Sequence, residues 1–350
     1  MSDLTARSST QRRQTYLRQA GPYLAAVLAA FVVVGILLLL MGFNPLRAFQ
    51  TILFTSFRTR NGFIQTWLKF IPLVLMALAF TIPAKGSKFN IGGEGQLIMG
   101  AVGAAVVGIL LADLPGVVLL PLVLIAGILS GAFWAFIPAI LLYRFNINEI
   151  LSTVLLNFVS FSVIDYVATE IWPDPLAGHP TTTPIGAGAE LPLLISSPPL
   201  HSGLLIAILV AAAVYIYTER TSAGYELVAT GANPRAAAVF GINTSILFLL
   251  SLVLGGAMGG LAGAIEVAGV HHRLIEGLQS NFLALGIIIG LISKGNHAIL
   301  PFVALFIAIL EVGASAMQRT LAIPVEMVFI VEALILIFVL LSDVVRKDTL

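Results

Sequence analysis

From Pro22 to Gly42 the chain runs without a single charged residue, and apolar stretches of similar length recur almost to its C-terminus. One helical bilayer crossing takes about 20 predominantly apolar residues, and the apolar stretches here sum to roughly ten crossings. Of 350 residues, 59% are hydrophobic and 10% charged, with a mean hydropathy of +1.03. A soluble domain carries about 25% charged residues. So few charges cannot cover a water-facing surface, so membrane lipid must cover much of this one. The expected fold class is an all-α membrane protein, a polytopic bundle of about ten transmembrane helices. The net charge of +1 comes from basic residues scattered through short loops and gives no footprint for nucleic acid. Cysteine is absent, which removes disulfides, thiol nucleophiles and thiolate metal sites.

Arg7, Arg12, Arg13 and Arg18 precede the first apolar run, the charge order of a signal peptide. The run is too long for a signal core, and Phe43-Asn44-Pro45-Leu46-Arg47 offers no A-x-A cleavage site. It reads as a retained first helix. The expected spans are 22–42, 67–83, 91–112, 116–142, 148–172, 202–218, 244–267, 282–293, 297–316 and 323–341, with 282–293 too short to cross unaided. With the N-terminus inside, twelve of eighteen basic residues fall on the cytoplasmic side. The other six (Arg47, Arg58, Arg60, Lys69, Arg273 and Arg319) fall outside or near the outer edge. Lys/Arg bias in short loops sets orientation, so both termini are expected inside. The organisation is then a basic cytoplasmic tail (1–21), a single transmembrane domain (22–342) and a cytoplasmic tail (343–350). The 43–66 loop departs from the bias, and its three arginines suit an interfacial amphipathic helix.

Two loops stand out. Residues 173–200 hold seven of the seventeen prolines and no basic residue, and the phase of the spans places them outside as an irregular cap. Residues 219–243 fall inside. Within them Asn233 suits an N-cap, Pro234 the first helical position and Gly241 the left-handed residue past the end. Together they bound a short helix, Pro234 to Phe240, that cannot cross a membrane; a plain connector is the simpler alternative. Ala236, Ala237 and Ala238 would give it a small, smooth flank. On helix 244–267, Gly255, Gly259 and Gly263 recur every four residues, a spacing that lets membrane helices approach closely and reads as a packing face.

Ionisable groups inside spans are costly and persist where they face protein or water. On the fifth span Glu149, Thr153, Asn157, Phe161 and Asp165 recur at four-residue intervals, one stripe down one side of the helix. It is either structural glue or the wall of a pathway. The stretch Phe89-Asn90-Ile91-Gly92-Gly93-Glu94-Gly95-Gln96 interrupts the apolar pattern with three glycines beside Asn90, Glu94 and Gln96. Non-helical backbone at membrane depth is tolerated where it lines a cavity or is buried in protein, and such breaks mark transporter binding sites. A cytoplasmic turn between spans is the alternative.

Enzyme readings fare poorly. No lysine follows a glycine, so there is no Walker A loop and no means of hydrolysing ATP. There is no H-E-x-x-H, and His179, His201, His271, His272 and His297 lack metal-site spacing. No cofactor is implied. Gly313-Ala314-Ser315-Ala316 is similar to the serine motif of rhomboid proteases, yet the histidine such a protease needs on a later helix is missing after His297.

Three segments in order carry a resemblance: 89–96 (FNIGGEGQ), 148–157 (NEILSTVLLN) and 231–242 (GANPRAAAVFGI). Together they resemble the branched-chain amino acid/ribose/nucleoside class of ABC permease subunits, and the FNIG-x-EGQ form points to its nucleoside, or simple-sugar, branch. The likeness runs from Pro22 to Ser342. It implies a type II importer fold in the bacterial inner (plasma) membrane, where two permease subunits, paralogous or identical, form the pathway. Cytoplasmic ABC ATPase subunits drive it, and an extracytoplasmic substrate-binding protein or lipoprotein delivers the cargo. It further implies that Gly231, Asn233, Pro234, Ala236, Ala237 and Gly241 belong to the coupling helix that docks into the ATPase. The pathway would involve Asn90, Glu94, Gln96, Glu149, Thr153 and Asn157. Two departures mark this chain: Glu226-Leu227-Val228-Ala229-Thr230 stands where relatives usually place an arginine, and the pattern after His271 is followed loosely. Ribose-type sugars or branched-chain amino acids are the alternative cargoes, and a secondary transporter working without an ATPase is the alternative class.

Overall fold

The computed structural model describes residues 28–324 and part of the stretch 326–341. The expected tails, the start of the first span and much of the last lie outside the described residues. The chain divides into two compact units, 1–62 with 309–350, and 63–308.

In the first unit, α1 (Leu28–Leu40) precedes α2 (Pro45–Arg58). Asn44 caps α2: its Oδ1 accepts from the backbone N–H groups of Leu46 (3.0 Å) and Arg47 (3.2 Å), with Pro45 in the first turn. The helix is amphipathic, burying Ala48, Ile52 and Ser56 while exposing Phe54 and Phe57. That is the pattern an interfacial helix needs. Its end at Arg58 is followed at once by α3 (Arg60–Lys85), so the second span starts at Arg60 rather than at 67. A Cβ on Gly313 would overlap the backbone of Ile52, so α2 and this part of α12 (Leu300–Leu321) touch backbone to backbone.

The second unit holds the rest of α3, then α4 (Gly93–Leu110), α5 (Gly116–Phe145) and α6 (Glu149–Tyr166). It continues through α7 (Gly203–Arg220), α8 (Ser222–Ala232), α9 (Pro234–Val239), α10 (Thr244–Glu266), α11 (Phe282–Ile292) and the start of α12. Both α6 and α10 run on through a π-helical turn, at Val167–Ile171 and Val267–His271. Among the described residues seven helices are long and apolar enough to cross a membrane, against the ten expected. Leu28–Leu40 and Phe282–Ile292 are shorter.

The core is α10 packed on α4 and α5, and glycine makes it possible. A Cβ on Gly263 would overlap the carbonyl oxygen of Leu97, and one on Gly100 would overlap Gly260. One on Gly131 would stand 2.5 Å from Gly260 Cα. The glycine face expected on 244–267 is thus a helix-packing face. Outward residues of α5, α6 and α7 such as Phe133, Leu155, Phe158 and Leu209 are exposed and apolar, as a lipid-covered surface requires.

The 173–200 cap is not wholly irregular. It contains a short hairpin, β1 (Leu193–Ser196) antiparallel to β2 (Pro199–His201), so among the described residues the fold is all-α apart from this ribbon and two isolated bridges. The cap is tied to the chain that follows α10. Thr182 N–H donates to Leu274 O (2.9 Å), Ile185 N–H to His272 O (2.9 Å) and Leu191 N–H to Ala268 O (2.8 Å). Arg273 pairs with Asp174 at 2.8 Å.

Candidate functional site

The polar stripe of α6 and the glycine-rich stretch meet. Asn157 Oδ1 accepts from Gly95 N–H (2.8 Å), and its Nδ2 donates to Ile91 O (2.9 Å). Asn90 and Gln96 form a reciprocal amide pair, with both bonds at 2.8 Å, and Asn90 Nδ2 also donates to Ala79 O on α3 (3.1 Å). A Cβ on Gly92 would press on Thr153 at 2.9 Å, and one on Gly95 would meet Asn157 Oδ1 and Trp134 Nε1, each at 2.9 Å. The glycines of 92–95 are therefore what lets α4 begin directly against α6.

Asn90, Gln96, Thr153 and Asn157 are buried, Glu94 is half-buried, and the Thr153 hydroxyl donates back to Glu149 O (2.6 Å). Glu149 is buried and faces Lys88 Nζ at 3.6 Å. Further along the stripe Phe161 is half-buried and Asp165 exposed. Residues 86–92 are non-helical backbone partly buried against protein, with Lys88 N–H donating to Pro83 O, Gly92 N–H to Asn90 Oδ1 and Asn157 Nδ2 to Ile91 O. Burial in protein is the condition under which such a break is tolerated. The amides of Asn90, Gln96 and Asn157 are spent on one another and on the backbone: the arrangement is a clasp that pins the break to α6.

The 219–243 segment is more structured than expected. Helix α8, Ser222–Ala232, is capped by Thr221 Oγ1 accepting from Gly224 N–H (3.2 Å). Helix α9 has the expected caps: Asn233 Oδ1 accepts from Ala236 N–H (3.1 Å), Pro234 opens it and Gly241 has φ +86°. It ends at Val239, one residue short of the expectation. The alanine flank is only partly open: Ala236 and Ala238 are exposed, while Ala237 is buried at 4% exposure against its own chain. The large apolar side chains that α9 offers outward are at its end, Val239 and Phe240, at 85% and 84% exposure. The end of α8, which leads into α9 through Asn233, is anchored. A Cβ on Gly231 would overlap Lys85 O, and Ser87 Oγ donates to Gly231 O (2.8 Å).

Near that anchor Lys85 pairs with Glu219 at 2.8 Å. His297 bridges two helices there, its Nε2 2.9 Å from Thr81 Oγ1 and its Nδ1 2.8 Å from Thr218 Oγ1. Burial first, then the neighbouring Lys85 charge, push the His297 pKa down to about 4, so the ring is neutral at physiological pH. One ring N–H can serve one threonine; the other threonine must donate to the ring.

Sequence reasoning passed over His201, His271, His272, Glu190 and Glu266, which line one cavity of about 410 Å³ with Lys69. Metal spacing was the wrong filter for them. Their common signal is spatial, because the cavity draws on α3, the cap, the π-helical end of α10 and the start of α11.

Residues 62–340 match the family described as branched-chain amino acid transport system / permease component. The chain is 31% identical to the glucose ABC transporter permease protein TsgB13 of Haloferax volcanii, covering 93% of this chain and 88% of the relative. It is 28% identical to the nucleoside ABC transporter permease protein NupB of Lactococcus lactis, covering 92% and 91%. It is 32% identical to the guanosine ABC transporter permease protein NupP of Bacillus subtilis, covering 81% and 82%. A protein of this family is a multi-pass membrane permease that works with an ATPase and a substrate-binding protein, and its own chain carries no catalytic step. This chain belongs to that family, the permease components of the branched-chain amino acid transport class of ABC transporters.

Proposed function

We propose that the chain is one of two permease subunits, identical or paralogous, of an ATP-driven importer of nucleosides. In this reading it has ten spans in the type II arrangement, with both termini and 219–243 cytoplasmic and 173–200 extracytoplasmic. An extracytoplasmic binding protein or lipoprotein delivers the cargo. The nucleoside cargo is supported by NupB and NupP, which carry nucleoside names and align over four-fifths or more of both chains. TsgB13, named for glucose, favours a sugar as the second reading.

One observation carries the mechanism. The exposed end of α9, Val239 and Phe240, stands on a base that is backbone-packed onto the end of α3, five residues before Asn90. An ATPase engaging that end would act on the 86–92 break and, through Asn157, on α6. Asn90, Glu94, Gln96, Glu149, Thr153 and Asn157 then belong to the moving wall of the pathway. An isolated helix of two turns is marginal in water, which fits a segment completed by a partner.

Phe240→Asp places a charge at the exposed end while touching no internal contact. It should leave membrane insertion intact, reduce co-purification with the ATPase and abolish uptake of radiolabelled uridine. Normal ATPase binding with normal uptake would sink the coupling role of α9.

A further inference from the structure

The cavity around His201 is built, and its parts are chemically particular. His201 is 2% exposed, and its Nδ1 accepts from Gly203 N–H at 3.2 Å. Gly203 and Gly269 clamp the ring; a Cβ on either would come within 2.6 or 2.7 Å of it. Burial depresses the pKa of His201, the nearby Glu266 opposing it and His272 adding to it. The ring is therefore neutral, and with Nδ1 used as acceptor its proton sits on Nε2. That N–H, buried, has no acceptor within the protein.

Around it Glu266 is buried with His271 Nε2 3.5 Å from its Oε2, and Glu190 lies 4.0 Å from His272 Nδ1. The backbone here is unusual as well. Helix α10 widens into a π turn at Val267–His271, and His272 has φ +53°. Such turns and left-handed non-glycine residues gather at functional sites.

The lining also says what fits. One lysine, Lys69, faces two glutamates, Glu190 and Glu266, so the cavity leans negative and repels phosphate or carboxylate ligands. Lys69 Nζ already lies over the Phe282 ring at 5.0 Å, so that face is not open to stack a base. What remains is an orphan N–H donor beside carboxylate acceptors, the complement of vicinal hydroxyls. The volume, about 410 Å³, lies within the range of small-molecule sites.

We propose that this cavity is a hydroxyl-recognition site for an uncharged ribosyl or glycosyl ligand, held by His201 Nε2–H and the Glu266 carboxylate, and that it disfavours the phosphorylated form. The inference deepens the transport reading and rests on it for the cargo class.

The test uses the intact transporter in nanodiscs without nucleotide, with uridine, ribose and uridine monophosphate as probes in equilibrium binding. Wild type should bind uridine and ribose at least about tenfold more tightly than the monophosphate. His201→Asn keeps an acceptor for Gly203 N–H but is too short to place a donor where Nε2–H stood, and should weaken uridine about five- to tenfold. Glu266→Gln should weaken it about tenfold or more and narrow the preference for uridine over its monophosphate. A merely structural role would move all three probes together and leave that preference unchanged. Uridine binding unchanged in both variants, while wild type imports uridine, overturns the site and leaves the transport reading intact. If wild type imports no nucleoside but binds ribose in a His201-dependent way, the cargo reading falls and the hydroxyl site stands.

Discussion

Asn157 shows how one amide can decide the local backbone. Gly95 N–H can only donate and Ile91 C=O can only accept, so the two bonds fix the orientation of the Asn157 amide. Replacing it with leucine strands both buried groups. At about 1–3 kcal/mol for each lost partner, Asn157→Leu should destabilise the protein by about 2–6 kcal/mol. The readout is thermal unfolding of purified protein in detergent. An unchanged melting temperature with lost uptake would show that Asn157 serves the cargo and not the fold. The four-residue spacing made this stripe legible in the sequence, and so was the glycine-rich break. Their meeting was not, because 62 residues separate Gly95 from Asn157. Spacing along one helix says which side a residue is on, never what stands opposite.

At the scale of elements, glycine sets how closely helices approach. The Leu97 carbonyl against which a Gly263 Cβ would collide is helix backbone and cannot swing aside as a side chain would. Gly263→Ala is expected to cost about 1–3 kcal/mol through forced separation of α10 from α4. Gly178→Ala has open space around its new methyl and serves as the neutral control. Equal melting temperatures for the two variants would remove the close-packing account. Helix α9 was readable because its caps are local signals. Helix α8 was missed because its eleven residues carry no apolar run and lie between two stronger features.

At the scale of the molecule, the apolar runs located the seven long apolar helices of the described residues to within several residues, with α3 the exception. Its first turn carries Arg60 and polar neighbours, which hydropathy discards and helical hydrogen bonding does not. The proposed orientation can be tested cleanly because the chain has no native cysteine. Ala187 in the cap and Ala238 on α9 are both exposed. A cysteine at 187 should react with an impermeant thiol reagent on intact cells, and one at 238 only after lysis. Labelling of both from the same side would overturn the proposed topology.

The Gly231–Lys85 junction has a mechanical meaning. Two backbones in van der Waals contact, with Ser87 bonded across them, leave no side chains between them to compress or re-rotamer. On the proposed coupling role, α9 is a lever without backlash. A push at its end arrives at the chain just ahead of Asn90 at full amplitude, where a cushion of side chains at 231 would have soaked up part of each stroke.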